Sequence, residues 1–142
     1  MTHPLSETAK TIAERYPWAR KIIEVGVGWN PQVAKELRKL LPEAEIILVD
    51  KNPEAVEHLK TLGFKAVRDD IINPDHEIYM SSTLIYSIHP PPELIPYMIQ
   101  LAEKVGADLL IKPLSEDAYL AELNTKRRVG SMYLLVSHGE KA

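Results

Sequence analysis

The chain of 142 residues has no cysteine. That excludes a disulfide framework and any thiolate chemistry. It has no apolar run approaching the ~20 residues that span a bilayer. Its opening segment, Met-Thr-His-Pro-Leu-Ser-Glu, lacks the basic and apolar blocks of a signal peptide, so a cytoplasmic location is expected and no membrane partner. A net charge of −3 lacks the basic excess of a nucleic-acid binder. The five histidines, at 3, 58, 76, 89 and 138, lack metal-ligand spacing, and no metal site is expected. No Gly-Lys-Ser/Thr follows the Gly-x-Gly at 26–28, which excludes the Walker pattern. No Ser/His/Asp or Cys/His arrangement can be argued. There is no internal repeat beyond the recurring Asn-Pro helix starts, no linker and no low-complexity segment. Few Asn and Gln, no Cys and 11 prolines hint at a heat-tolerant source.

What remains, 45% hydrophobic and 26% charged, is ordinary for a globular protein, and one domain over residues 1–142 is expected. The stretch at 21–30, Lys-Ile-Ile-Glu-Val-Gly-Val-Gly-Trp-Asn, organises it. It reads as a buried strand running into a glycine turn and a helix start. Gly26 and Gly28 let the backbone turn sharply and approach a ligand. Asn30 is expected to cap the next helix and Pro31 to open it. A glycine loop facing a helix N-terminus suits nucleotide-type ligands. Glu24, two residues before Gly26, is poorly placed for a phosphate and well placed for a cationic group.

Periodicity predicts a helix from Ser6 to about Tyr16, stopped by Pro17, then strands at 21–25 and 45–49 around a helix that buries Val33, Ala34, Leu37 and Leu41. Asn52 and Pro53 start a helix that ends near Gly63. A short strand at 65–68 leads to Asp69-Asp70. Asn73-Pro74 starts a helical turn to 78, and a strand follows at 83–88. A helix at 93–105 carries Pro96 in its first turn. A strand at 108–111 comes next. Residues 118–123 read as helix or strand. The last strand, 131–137, follows Gly130, which suits a hairpin bend. Alternating strands and helices imply a doubly wound α/β fold with a parallel sheet. The ligand then lies across the C-terminal strand ends. That edge carries Gly26 to Asn30, Asp50, Asp69-Asp70, Ser87 to Pro92 and Lys112-Pro113. Asp50, 22 residues after Gly28, can bind both hydroxyls of a ribose or simply cap the next helix.

The segments Ile-Ile-Glu-Val-Gly-Val-Gly, Leu-Val-Asp-Lys-Asn-Pro and Val-Arg-Asp-Asp-Ile resemble the successive motifs of class I S-adenosylmethionine-dependent methyltransferases over roughly residues 20–113. The resemblance implies a Rossmann-like fold with strand order 3-2-1-4-5 plus a shortened C-terminal strand or hairpin. It implies S-adenosylmethionine as cofactor. Glu24 would face its methionine part, with Gly26, Gly28 and Asn30 in the loop, Asp50 on the ribose and Asp70, rather than Asp69, on the adenine amino group. The whole chain, with Tyr-Ser-Ile-His-Pro-Pro-Pro-Glu-Leu and Leu-Ile-Lys-Pro-Leu-Ser, resembles a small family of archaeal proteins that are methyltransferase-like in fold and uncharacterised in function.

This sequence departs from the methyltransferase pattern in three places. Asn30 stands where a third glycine is usual. His89-Pro90-Pro91-Pro92 replaces the amide or carboxylate that orients an amino group. Only about thirty residues follow the fifth strand, with no substrate insert. Trp29 can stack on a cofactor or cover the sheet edge. His89, at the mouth of the site, is the candidate for acid–base work, or else a loop histidine held by prolines. Ser87 can bond a substrate or its own loop. Tyr86 and Tyr97 read as core or rim. Lys126-Arg127-Arg128 can meet phosphate or form a solvated turn. Three readings follow: a small methyltransferase, a non-catalytic partner subunit or ligand sensor on the same fold, and an NAD-type oxidoreductase. A homo-oligomer or a protein partner is compatible with the exposed final strand.

Overall fold

The structure, a computed structural model, describes residues 4–114, 127–129 and 132–135. Seven strands form one sheet: β1 (Lys21–Val25), β2 (Glu45–Asp50), β3 (Lys65–Arg68), β4 (Leu84–Ile88), β5 (Asp108–Lys112), β6 (Arg127–Val129) and β7 (Met132–Leu135). Their order is β3-β2-β1-β4-β5-β7-β6. The first five strands run parallel, while β7 pairs antiparallel with both β5 and β6. The expected 3-2-1-4-5 order with a C-terminal hairpin is therefore what forms.

The continuous apolar run of β2 and the buried interiors of β1 and β4 arise because both faces of the sheet are covered. On one face Ile22, Leu48, Leu84 and Leu110 pack against α1 (Pro4–Arg15), α2 (Gln32–Leu40) and α3 (Pro53–Thr61) through Ile12, Leu37 and Leu59. On the other, Ile23, Val49, Ile85 and Leu109 meet Tyr79 of α4 (His76–Tyr79) and Met98 and Leu101 of α5 (Ile95–Val105). The Tyr16 hydroxyl ties the end of α1 to β5 by donating to Asp108 at 2.6 Å.

Asn52 caps α3 as expected, accepting from the N–H groups of Glu54 (2.8 Å) and Ala55 (3.4 Å), with Pro53 at the first helical position. Gly63, at φ +87, ends that helix. The Phe64 N–H reaches the Leu59 carbonyl and the Gly63 N–H that of Lys60, the paired bonds of a Schellman cap.

Other helix starts differ from expectation. The first helix already includes Pro4, so Ser6 lies inside it rather than capping it. Asn30 does not cap α2. The turn at Gly28 and Trp29 delays the helix, Pro31 takes the cap position, and no side chain bonds to the first amides. Asp75, not Asn73, caps α4, because the Asn73 N–H is held by the Asp70 carbonyl in a turn. A 3-10 turn at Pro92–Leu94 precedes α5, and Pro96 sits in the first turn of that helix. The expectations for residues 118–123, Gly130 and Lys126 lie outside the described residues. Among the described residues no helix is long and apolar enough to cross a membrane.

Candidate functional site

The C-terminal edge of the sheet holds a cavity of about 260 Å³ between the ends of β1, β2, β3 and β4. Val25, Val49, Ile71, Leu94 and Met98 give it apolar walls, and Asp50, Asp70, Ser87 and His89 supply polar groups. The loop after β1 shapes one side. Gly26 has φ +75, and its N–H donates to the Val49 carbonyl at 2.8 Å. A Cβ there would lie 3.9 Å from the Ser87 hydroxyl, an ordinary contact. The left-handed backbone, not lack of space, is what calls for glycine.

Asp50 fastens this loop to β2. One carboxylate oxygen accepts the Gly28 N–H at 2.7 Å and the other the Asn52 N–H at 2.9 Å. Helix capping falls to Asn52, so the capping role considered for Asp50 is filled by its neighbour.

The acidic pair after β3 divides in the same way. Asp69 accepts the Tyr79 hydroxyl at 2.6 Å and the Asp75 N–H, which commits it to holding α4. Burial, then the Asp69 carboxylate, push the Tyr79 hydroxyl well above the usual tyrosine range, so it remains a donor. Among the described residues the Asp70 side chain bonds the Ile72 N–H alone, at 3.0 Å, and both Asp69 and Asp70 line the cavity.

Glu24 is buried beside Tyr86 and is not part of the cavity wall. Alternation along β1 puts Val25 on the cavity face and Glu24 on the other, among the residues packed under α1 to α3. The Tyr86 hydroxyl donates to it at 2.9 Å. Burial pushes the Glu24 carboxyl up to about 7; the Tyr86 bond opposes this and the nearby Asp50 charge adds to it.

At the end of β4, the buried Ser87 hydroxyl donates to the Val25 carbonyl at 2.8 Å. His89 adopts φ +55, a region that few side chains occupy, and its N–H donates to the Lys112 carbonyl at 2.7 Å. Partial burial, then the Lys112 charge, hold its imidazole below the usual histidine pKa. The ring is therefore neutral at pH 7 and able to accept a proton.

The structure thus brings Gly26, Asp50, Asp70, Ser87 and His89 to one cavity, with Gly28 bonded to Asp50. Asn30 is exposed and is not among the residues that line it. Trp29 does not line the cavity; it lies against His58 of α3, ring centres 5.4 Å apart. Tyr86 is core and Tyr97 is rim. The sequence reading missed Met98 and Leu94 as cavity walls, because at helical spacing they read as core. It also missed the grip of Tyr79 on Asp69, a contact with no local signal.

The fold is that of S-adenosylmethionine-dependent methyltransferases. The N-terminal domain of EvdMO1, solved in the presence of SAH and D-fucose, superposes with a TM-score of 0.66 at 13% identity over 98% of this chain and 70% of that one. The plantazolicin methyltransferase BpumL, in complex with a triazolic desmethylPZN analog and SAH, gives 0.60 at 20% identity over 88% of this chain. The chain spans about half of BpumL, 53% of its length.

Residues 5–138 match the family described as "Uncharacterised protein family (UPF0146)". The chain belongs to that family. The UPF0146 protein MJ0688 of Methanocaldococcus jannaschii is 40% identical over 116 residues, 82% of each chain. The UPF0146 protein PH0209 of Pyrococcus horikoshii is 42% identical over 97 residues, 68% of this chain and 72% of that one.

Proposed function

We propose that this protein binds S-adenosylmethionine in the cavity at the C-terminal strand ends and transfers its methyl group to an acceptor that enters beside His89. The arrangement of Asp50 carries the reading. Its carboxylate is fixed at the cavity by two backbone N–H groups, and each oxygen keeps a lone pair for a ribose hydroxyl. Asp70 has spare acceptor capacity for an adenine amino group, and Ile71 and Met98 offer apolar surface to the ring. The glycine loop brings backbone close to the ligand.

When bound, the cofactor supplies an electrophilic methyl group on sulfur. The chain's own contribution is to hold an acceptor in line and accept its proton. Positioning of this kind can account for much of a rate enhancement. His89 is the base, since its ring is neutral at pH 7 and lines the cavity. The Ser87 hydroxyl is engaged by Val25, so its role is to hold the β4 end against the glycine loop.

A second reading is a ligand-binding subunit or sensor without turnover. It is favoured by His89 being the one histidine among the residues that line the cavity. A dinucleotide oxidoreductase is disfavoured. Pro31 stands where the third small residue of that fingerprint belongs, and the Glu24 carboxylate lies under the loop that would hold a pyrophosphate.

Calorimetric titration with S-adenosylmethionine, S-adenosylhomocysteine and NAD, with Asp50→Ala as control, tests the reading. Binding of the two adenosyl compounds but not NAD, lost in the variant, supports it. A ligand at ~100 times its Kd adds roughly 2.7 kcal/mol of stability, readable as a thermal shift. No binding of either adenosyl compound at millimolar concentration overturns it. Binding without methylation of any acceptor supports the sensor.

A further inference from the structure

A second cavity, of about 290 Å³, lies between the segment after β3, α4 and α5. Ile71 and Ile72 line both cavities, so the two are neighbours sharing one wall. Its lining is unlike that of the first. Lys104 and His76 are present and no carboxylate is, although the chain as a whole carries a charge of −3. Asn73, His76, Tyr97, Gln100 and Lys104 bring five polar side chains together. None of the five makes a side-chain hydrogen bond, ion pair or ring contact with another described residue. Ile72 and Tyr97 are large apolar groups left 51% and 39% exposed at its edge. A merely solvated helix face would not combine a concave wall, half-exposed apolar side chains and a charge opposite to that of the chain.

We propose that this cavity is a binding site for a free nucleoside monophosphate, distinct from the adenosyl site. Tyr97 and Ile72 supply a surface for a planar base. The amides of Asn73 and Gln100 each present donor and acceptor, as the edge of a heterocycle requires. Lys104, with the ring N–H of His76, meets the phosphate. The small volume and the acidic chain suit a single nucleotide and not a polyanion. Because Ile71 and Ile72 border both cavities, the nucleotide also alters affinity at the first one, and the coupling is reciprocal.

The test is calorimetric titration of the full chain with AMP, and separately with adenosine and inorganic phosphate. Tyr97→Ala and Lys104→Gln alter exposed side chains and leave folding intact. Asp50→Ala marks the first cavity. AMP should bind more tightly than either half. Each of the first two variants should weaken it roughly tenfold, about the loss of one base–aromatic stack. Asp50→Ala should leave AMP bound, whatever it does to the adenosyl compounds, so the two proposals fail separately. Loss of AMP in Asp50→Ala but not in Lys104→Gln would put the nucleotide in the first cavity and overturn the proposal. No AMP binding at millimolar concentration, or tighter binding of a single-stranded RNA hexamer than of AMP, would also overturn it.

Discussion

The Tyr86 hydroxyl donates to Glu24 at 2.9 Å under the glycine loop, on the face of the sheet away from the cavity. It gives Glu24 one hydrogen bond and no compensating positive charge, which is why burial dominates and the carboxyl rises to about 7 from its usual 4.5. Between those two values the folded state holds a proton that the unfolded chain has released. This contribution to stability is complete below pH 4.5 and is lost as pH rises through 7. Glu24→Gln removes it. Thermal unfolding should find the variant close to wild type at pH 5 and more stable at pH 8, by on the order of 3 kcal/mol.

Asp50→Ala frees two backbone N–H groups at the cavity and detaches Gly28 from β2. Bonds to a charged acceptor are worth about 1.5–3 kcal/mol each. S-adenosylhomocysteine affinity should drop by roughly a hundredfold or more in calorimetry. Asp50→Asn keeps one acceptor oxygen and should fall between the two.

Tyr79→Phe removes a buried hydroxyl and leaves Asp69 with one donor, the Asp75 N–H. Urea unfolding should report a loss of about 1–3 kcal/mol. Asp70, which is not bonded to Tyr79, should keep most of its ligand affinity, so stability falls further than binding.

His89 sits at φ +55, where a β-carbon is strained. His89→Gly relieves that strain and should raise the melting temperature, while any methyl transfer falls by ~10² to 10⁴ through loss of the base. In the wild type, burial and Lys112 hold the imidazole below its usual value. The acid limb of the rate profile should therefore lie below pH 6.5.

Sequence periodicity was sufficient for the parallel sheet, because β1, β2 and β4 are mostly apolar, Glu24 and Ser87 apart, and each is bounded by turn residues. The acidic positions were legible too. Asp50 ends a strand at a fixed interval from the glycines, and it lines the cavity together with Asp69 and Asp70. Two kinds of feature were not. Helix starts depend on where the preceding turn leaves the chain, so Asn30 and Asn73 lost their cap positions to Pro31 and Asp75. Contacts between distant segments, such as Trp29 with His58 and Tyr79 with Asp69, arise from packing that no local pattern encodes.

The position of β7 between β5 and β6 has a consequence for synthesis. The first five strands are complete once residue 112 has been made, but the outer edge of β5 at Leu109, Leu110 and Ile111 has no partner until Leu135, Leu134 and Tyr133 arrive. Within the sheet β6 pairs with β7 alone, so it cannot shield that edge first. The hairpin must dock as a unit, and until it does a nascent chain presents an open apolar strand to its neighbours on a crowded polysome. The β6–β7 hairpin is the closure that covers this apolar edge of β5.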